Sequence, residues 1–135
     1  MDLMDSLAIS AAGMKVQGER LRVIAENIAN VDSVSENRGG DPYRRKTISF
    51  KNELDRQQGL DLVHVAKVGL DPSEFVRKYD PSNPAADVQG YVKLPNVNAL
   101  IEMSDMREAQ RSYEANLKVI EVARSMLQRT IDILR

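Results

Sequence analysis

The sequence predicts an α+β protein: a long helix at each end, the two forming a paired, coiled-coil-like domain, with a small β-rich module between them. Three observations carry that expectation. All five prolines (Pro42, Pro72, Pro81, Pro84 and Pro95) fall in the middle of the chain, together with five of the seven glycines and five of the six aromatics. The ends are free of proline, which favours helix, whereas the middle has the punctuation of turns and the side chains that suit strands. Finally, apolar and small residues at both ends recur at spacings of three and four. The expected parts are an N-terminal helix within 1–34, a loop-rich β module over 35–95 and a C-terminal helix within 96–135 that pairs with the first. No internal repeat or low-complexity segment interrupts them.

The first helix is expected over roughly residues 3–30. Met4, Leu7, Ala11, Met14, Gly18, Leu21, Ala25 and Ile28 form an unbroken heptad seam. Its two rows differ, one holding Leu7, Met14, Leu21 and Ile28, the other Ala11, Gly18 and Ala25. Small residues at alternate seam positions let a partner helix approach closely. Gly13 and Gly18 each cost about 1 kcal/mol of helix propensity relative to Ala, so this helix is expected to become ordered by packing. Asn30, Asp32 and Ser33 supply a stop.

The last helix, expected over about 97–134, repeats the device with Met106, Ala109, Tyr113, Ile120, Ala123, Leu127 and Leu134, completed by Asn116 and Thr130. Leu117 and Ile131 widen the stripe. Asn96 or Asn98 can accept the first-turn amides, and Glu114 stands four residues before Lys118, a spacing that supports an ion pair. At a rise of about 1.5 Å per residue the helices reach roughly 40 and 55 Å. That exceeds what a module of this size can cover, so much of each stripe is expected to need another partner.

Between the helices, Tyr43–Phe50, Leu62–Val68, Phe75–Tyr79 and Tyr91–Leu94 read as strands, with Asp71-Pro72-Ser73 and Asp80-Pro81-Ser82-Asn83-Pro84 as turns. A unit this short can build only a thin core.

Charge and composition narrow the function. Lys and Arg number 19 against 20 Asp and Glu, split 3 to 5 over residues 1–34, 10 to 9 over 35–95 and 6 to 6 over 96–135. No part is basic enough to offer nucleic acid a concentrated positive face. Zero Cys and one His make a disulfide framework and a zinc site equally poor expectations. His64 lies within an apolar strand, where packing or a wet-face position is the ordinary role, and no triad or carboxylate pair marks it as catalytic. Arg44-Arg45-Lys46 reads as solvated or paired with nearby carboxylates, and Gly39-Gly40, without a phosphate-cradle context, as a turn. No catalytic, cofactor or metal residue is expected, and no small-molecule substrate. The acidic start Met1-Asp2-Leu3-Met4-Asp5 is unlike a secretory signal, so no cleaved signal peptide is expected.

Two stretches resemble a known family. Ser10-Ala11-Ala12-Gly13-Met14, Gln17, and Arg20 through Asn30 are similar to the N-terminal signature of the bacterial flagellar rod and hook axial proteins. Gly40-Asp41-Pro42-Tyr43-Arg44-Arg45, Gly90 through Asn98, Glu102-Met103-Ser104-Asp105-Met106 and Arg111 through Asn116 resemble the proximal-rod type within it. The linker Val31–Arg38 lacks the Thr-Pro-Gly turn of many relatives, which also points away from distal-rod and hook members. The resemblance implies a structural subunit of the flagellar basal body, serving flagellum-dependent motility. It implies export by the flagellar type III apparatus and helical assembly with copies of itself and other rod proteins across the periplasm, near the MS-ring junction. The seam residues would then be assembly contacts. The alternative is a soluble helical adaptor or chaperone of a secretion system.

Overall fold

The computed structural model describes residues 2–135. Along the chain, two long helices flank two small two-stranded sheets: α1 (Leu3–Ala29), β1 (Lys46–Asp55), β2 (Leu60–Leu70), β3 (Val76–Tyr79), β4 (Tyr91–Leu94) and α2 (Ala99–Ile133). The fold is α+β, as the sequence predicts. Backbone proximity divides the chain into two compact units. The first combines α1 up to Leu21, Ser49–Lys67 and Arg107–Arg135; the second combines Arg22–Ile48 and Val68–Met106.

Helix ends are fixed by short polar side chains. Asp2 Oδ1 accepts from Leu3 N at 2.6 Å, while Asp2 N donates to Asp5 Oδ2 at 2.8 Å, a reciprocal cap on α1. Asn98, the second of the two expected caps, accepts from Leu100 N and Ile101 N at 3.0 and 3.3 Å. Asn96 instead joins loops: its Oδ1 accepts from Arg45 N at 2.8 Å and its amide donates to the carbonyls of Asp71 and Ser73. At the end of α1, Asn30 Nδ2 donates to Glu26 O and Ser33 Oγ to Asn30 O, so the expected stop is a pair of side-chain brackets.

In the first unit α1 and α2 run antiparallel. Arg20 Nη2 meets Glu108 Oε2 at 3.3 Å. A Cβ added to Gly13 would lie 2.9 Å from Asn116 Nδ2, and Leu3 shares a groove with Met126. Ser10, Val16, Ala109 and Ala123 are buried here. The same unit holds the far part of the β1–β2 ribbon. Four residues join its strands, which permits only antiparallel pairing. Gly59 closes the turn with φ +67°, a left-handed backbone natural to glycine, and its N–H donates to Asp55 O at 2.7 Å. Val63 and Val65 line a hollow with Ala12 and Val16, so α1 is covered on a second side.

The second unit has the thin core its length implies, a cluster of Ala85, Ala86 and Val92; Val23 and Ile24 of α1 are buried as well. Strands β3 and β4 pair antiparallel from Val76↔Leu94 to Tyr79↔Tyr91, and Tyr79 and Tyr91 meet edge-on at 5.3 Å. Gly90, at φ +84°, sits where a Cβ would come within 3.0 Å of the Tyr79 ring and 3.1 Å of Pro81. Asp87 accepts from Gln89 N and Tyr91 N, and the Tyr91 amide foremost holds its carboxyl below the usual range.

Four sequence expectations shift. Tyr43, Arg44 and Arg45 precede β1 because their side chains are engaged elsewhere, and the strand runs on to Asp55. β2 extends past both expected ends, and Phe75 lies before β3, its ring under the Arg44 guanidinium at 4.3 Å. Lys118 Nζ pairs with Glu121 at 2.7 Å, in place of the expected Glu114.

Candidate assembly surface

The seam residues fall into two contrasting groups. On α2 the expected seam turns inward. Ala109 and Ala123 are buried, Met106, Tyr113, Asn116, Ile120 and Leu127 are half-buried, and Leu117, Thr130, Ile131 and Leu134 are exposed. Small side chains at 109 and 123 bring this face close to α1, with Asn116 between them against Gly13.

On α1 the expected seam does not face α2. Met4 is 60 % exposed and Ala11 and Ala25 are exposed, while Leu7, Met14, Gly18, Leu21 and Ile28 are half-buried. A Cβ at Gly18 would meet nothing within 4 Å. The face turned to α2 lies one residue earlier, along Ser6, Ser10, Gly13 and Arg20 in the first unit. In the second, Ile24 and Asn27 hold the same helical positions, and Asn27 meets Glu102 of α2. One residue is about 100° of helix, enough to move a row from one face to another. Hydrophobic periodicity missed this row because its members are small or polar. Their one visible signal is the recurrence of Ser10, Gly13 and Gln17 at spacings of three and four. Gln17 Oε1 is buried and accepts no hydrogen bond from the described residues.

The second unit is locked by a polar network. Glu102, 1 % exposed, accepts from Arg45 Nε and, at 3.3 Å, from Asn27 Nδ2. Arg45 also meets Asp71 at 3.4 Å. Asn27 Oδ1 accepts from Lys46 N at 2.9 Å and Tyr43 Oη at 2.8 Å, and its Nδ2 donates to Lys46 O at 2.9 Å, so every polar atom of this buried amide works. Lys46 Nζ reaches Glu26 at 2.7 Å. That hydrogen bond holds the Glu26 carboxyl below and the Lys46 ammonium above its ordinary pKa. Burial presses on the Arg45 guanidinium, but the bond and charge of Glu102 outweigh it and leave its pKa raised. Burial also raises the Tyr43 phenol. The basic run Arg44-Arg45-Lys46 is thus spent inside the chain: Arg44 Nη1 donates to the carbonyls of Asp71 and Ser73 at 2.9 Å each.

His64 is exposed on β2. Among the described residues no cluster of His, Asp and Glu could hold a metal ion, and no helix is long and apolar enough to cross a membrane.

Comparison with known proteins identifies the family. Residues 88–133 match the model for the flagellar basal body rod FlgEFG protein C-terminal region. A protein of Agrobacterium fabrum named flagellar basal-body rod protein FlgC is 55 % identical over 94 % of this chain and 91 % of its own length. The chain belongs to the FlgC family of flagellar basal-body rod proteins. FlgC of Salmonella typhimurium is 38 % identical over 98 % of both chains, and FlgC of Borreliella burgdorferi 39 % identical over 100 % of this chain and 99 % of its own. FlgC proteins are structural rather than enzymatic, and nothing among these relatives supports the secretion-adaptor alternative. Asn27, Arg45 and Glu102, which build the polar network, lie in the stretches on which the resemblance was read, although their pairing was not legible there.

Proposed function

We propose that this chain is a structural subunit of the flagellar rod that assembles through its terminal helices with copies of itself and other rod proteins. Its place would be the proximal part of the periplasmic driveshaft, next to the MS-ring junction. It would reach that place intact through the flagellar type III export apparatus, without a cleaved signal peptide. In this reading 1–34 and 96–135 are axial segments and 35–95 is a module carried between them.

One observation supports the assembly role above the others: the row Met4, Ala11, Gly18 and Ala25 is left open on α1 while α2 spends its own seam within the chain. The large seam residues Leu7, Met14, Leu21 and Ile28 beside that row are only half-buried, which leaves apolar surface for a second partner. Small side chains at 11, 18 and 25 let that partner's backbone come near.

The test is Ala25→Glu. The side chain is exposed and Glu is a good helix former, so the free chain should keep its fold. In an assembled contact the buried, unpaired carboxylate should cost several kcal/mol. The expected result is export of the variant without basal-body incorporation or swimming, against normal behaviour of a Lys78→Glu control on exposed β3. Normal incorporation of Ala25→Glu would refute the seam as a contact.

A further inference from the structure

We propose that Met126 of α2 is a site of reversible oxidation, at which a peroxide loosens the first turn of α1 from α2. Five methionines lie among the described residues, and exposure divides them. Met14 and Met106 are half-buried, whereas Met4, Met103 and Met126 are 60, 51 and 53 % exposed. Thioether oxidation follows access, so these three are open to a peroxide. Met126 has a second property. It lines an apolar groove of the first unit together with Leu3 and Ser6 of α1 and Val119, Val122 and Ala123 of α2. A flexible thioether fills such an irregular gap well. Met103 stands in the second unit, near the start of α2, and Met4 lines a different hollow with Leu60 of β2.

The step is an oxygen transfer. The Met126 sulfur attacks one peroxide oxygen, and an S–O bond forms as the O–O bond breaks. The proton of the transferred hydroxyl passes to the departing hydroxide, which leaves as water. Sulfur is oxidised by the two electrons that reduce the peroxide. The product is methionine sulfoxide, a polar side chain where an apolar one stood.

The groove is poorly equipped to keep it. The Ser6 hydroxyl donates to Asp2 O at 3.5 Å and Lys118 Nζ pairs with Glu121 at 2.7 Å, while the other lining side chains are apolar. Water satisfies the sulfoxide oxygen instead, so the side chain turns outward and Leu3 loses an apolar neighbour. The cap formed by Asp2 and Asp5 binds amides of α1 itself and does nothing to hold this turn on α2.

The test uses the full-length chain in two backgrounds. One carries Met4→Leu and Met103→Leu and keeps Met126. The other adds Met126→Leu, a swap that conserves volume and apolar character. Met1 is common to both and cancels. Each is treated with hydrogen peroxide; peptide mass spectrometry locates the added oxygen and hydrogen exchange follows the backbone. The first chain is expected to gain oxygen at Met126 before Met14 and Met106, with exchange rising about tenfold or more over residues 3–10. Methionine sulfoxide reductases for both epimers should reverse that rise. The second chain should show no rise there. Met126→Gln, a polar side chain of similar length, should loosen the same turn without peroxide. Oxidation of Met126 no faster than of Met106, equal loosening of the chain that lacks Met126, or a Met126→Gln chain as protected as the parent would each overturn the proposal.

Discussion

The two units are held together by opposite means. The second is closed by charge and hydrogen bonds: buried Glu102 and Asn27 tie the end of α1, the 43–46 segment and the start of α2 into one network. The first is closed by the absence of side chains, with Gly13, Ala109 and Ala123 allowing the helices to come close. A saturated polar network leaves no group to offer a neighbour. Small-residue packing consumes one face of each helix and leaves the others available, which is where Met4, Ala11 and Gly18 lie open. The contrast separates a unit closed by its own polar network from one whose helices touch through small residues and keep a further face exposed.

The largest way to break the comparison is to empty the network. Arg45→Met leaves the Glu102 carboxylate buried with only Asn27 as donor, and loss of one partner of a buried ion pair costs about 3–5 kcal/mol. Urea denaturation should show that loss, with hydrogen exchange rising over Arg22–Ile48 and Val68–Met106 while Arg107–Arg135 is less affected. Equal loosening of both units would show that they are not separately held.

Ala123→Glu comes next. It places a carboxylate in the α1–α2 contact at a buried position, and should cost several kcal/mol of packing and desolvation in the free chain itself. Ala25→Glu, by contrast, should leave free-chain stability within about 0.5 kcal/mol, the usual range for a surface substitution. Matching losses for the two variants would erase the distinction between an inward and an outward seam.

Gly18→Ala sharpens it further. Its Cβ enters open space, so the free chain should gain up to about 1 kcal/mol in helix propensity. If a neighbour's backbone approaches here, incorporation into basal bodies should fall even as stability rises. Gly13→Ala should lack the gain, because Asn116 lies 2.9 Å from the new carbon and its amide is tied to Ser112 O at 3.0 Å. Thermal denaturation of the two variants measures the difference.

The smallest effect is on pH. In the second unit Glu26, Asp71 and Asp87 all have lowered pKa values: the Lys46 hydrogen bond holds Glu26 below 4.5, Ser73 holds Asp71 below 3.8, and the Tyr91 amide holds Asp87 below 3.8. Each folded value lies below the unfolded one, so the stabilisation is complete above the unfolded value and fades as pH falls through the folded value. The second unit should therefore loosen below about pH 4, where these carboxylates take up protons. The first unit has one such group in this range, Glu53, lowered by the hydrogen bond from Lys51, and should respond less. Hydrogen exchange at pH 3, corrected for intrinsic rates, would show it.

Much of this was legible in the sequence. Proline and glycine placement located the helices to within two residues, and Asn98 was among the named caps. The α1 register was not legible, because much of the row turned to α2 is small or polar and gives no hydrophobic period. Gly13 carries no hydrophobic signal, yet it is where Asn116 of α2 comes closest to α1. Nor could pattern reveal Glu102, a charged residue in the first turn of an exposed-looking helix, as one of the most buried side chains. Its partners Asn27 and Arg45 lie 75 and 57 residues away, and only the folded chain brings them together. The β1–β2 ribbon was read short, since polar Lys51, Asn52 and Glu53 suit an exposed ribbon but do not advertise a strand.

The central claim, that α1 keeps its apolar row for a neighbour while α2 spends its own within the chain, is tested most directly by thiol labelling. Ala25→Cys and Ala109→Cys chains are each treated with a maleimide, once as purified free subunit and once within isolated basal bodies. Ala25→Cys should label readily when free and be protected by at least tenfold in the basal body, whereas Ala109→Cys should be protected in both. Ala25→Cys labelling as fast in basal bodies as in the free subunit would contradict the account.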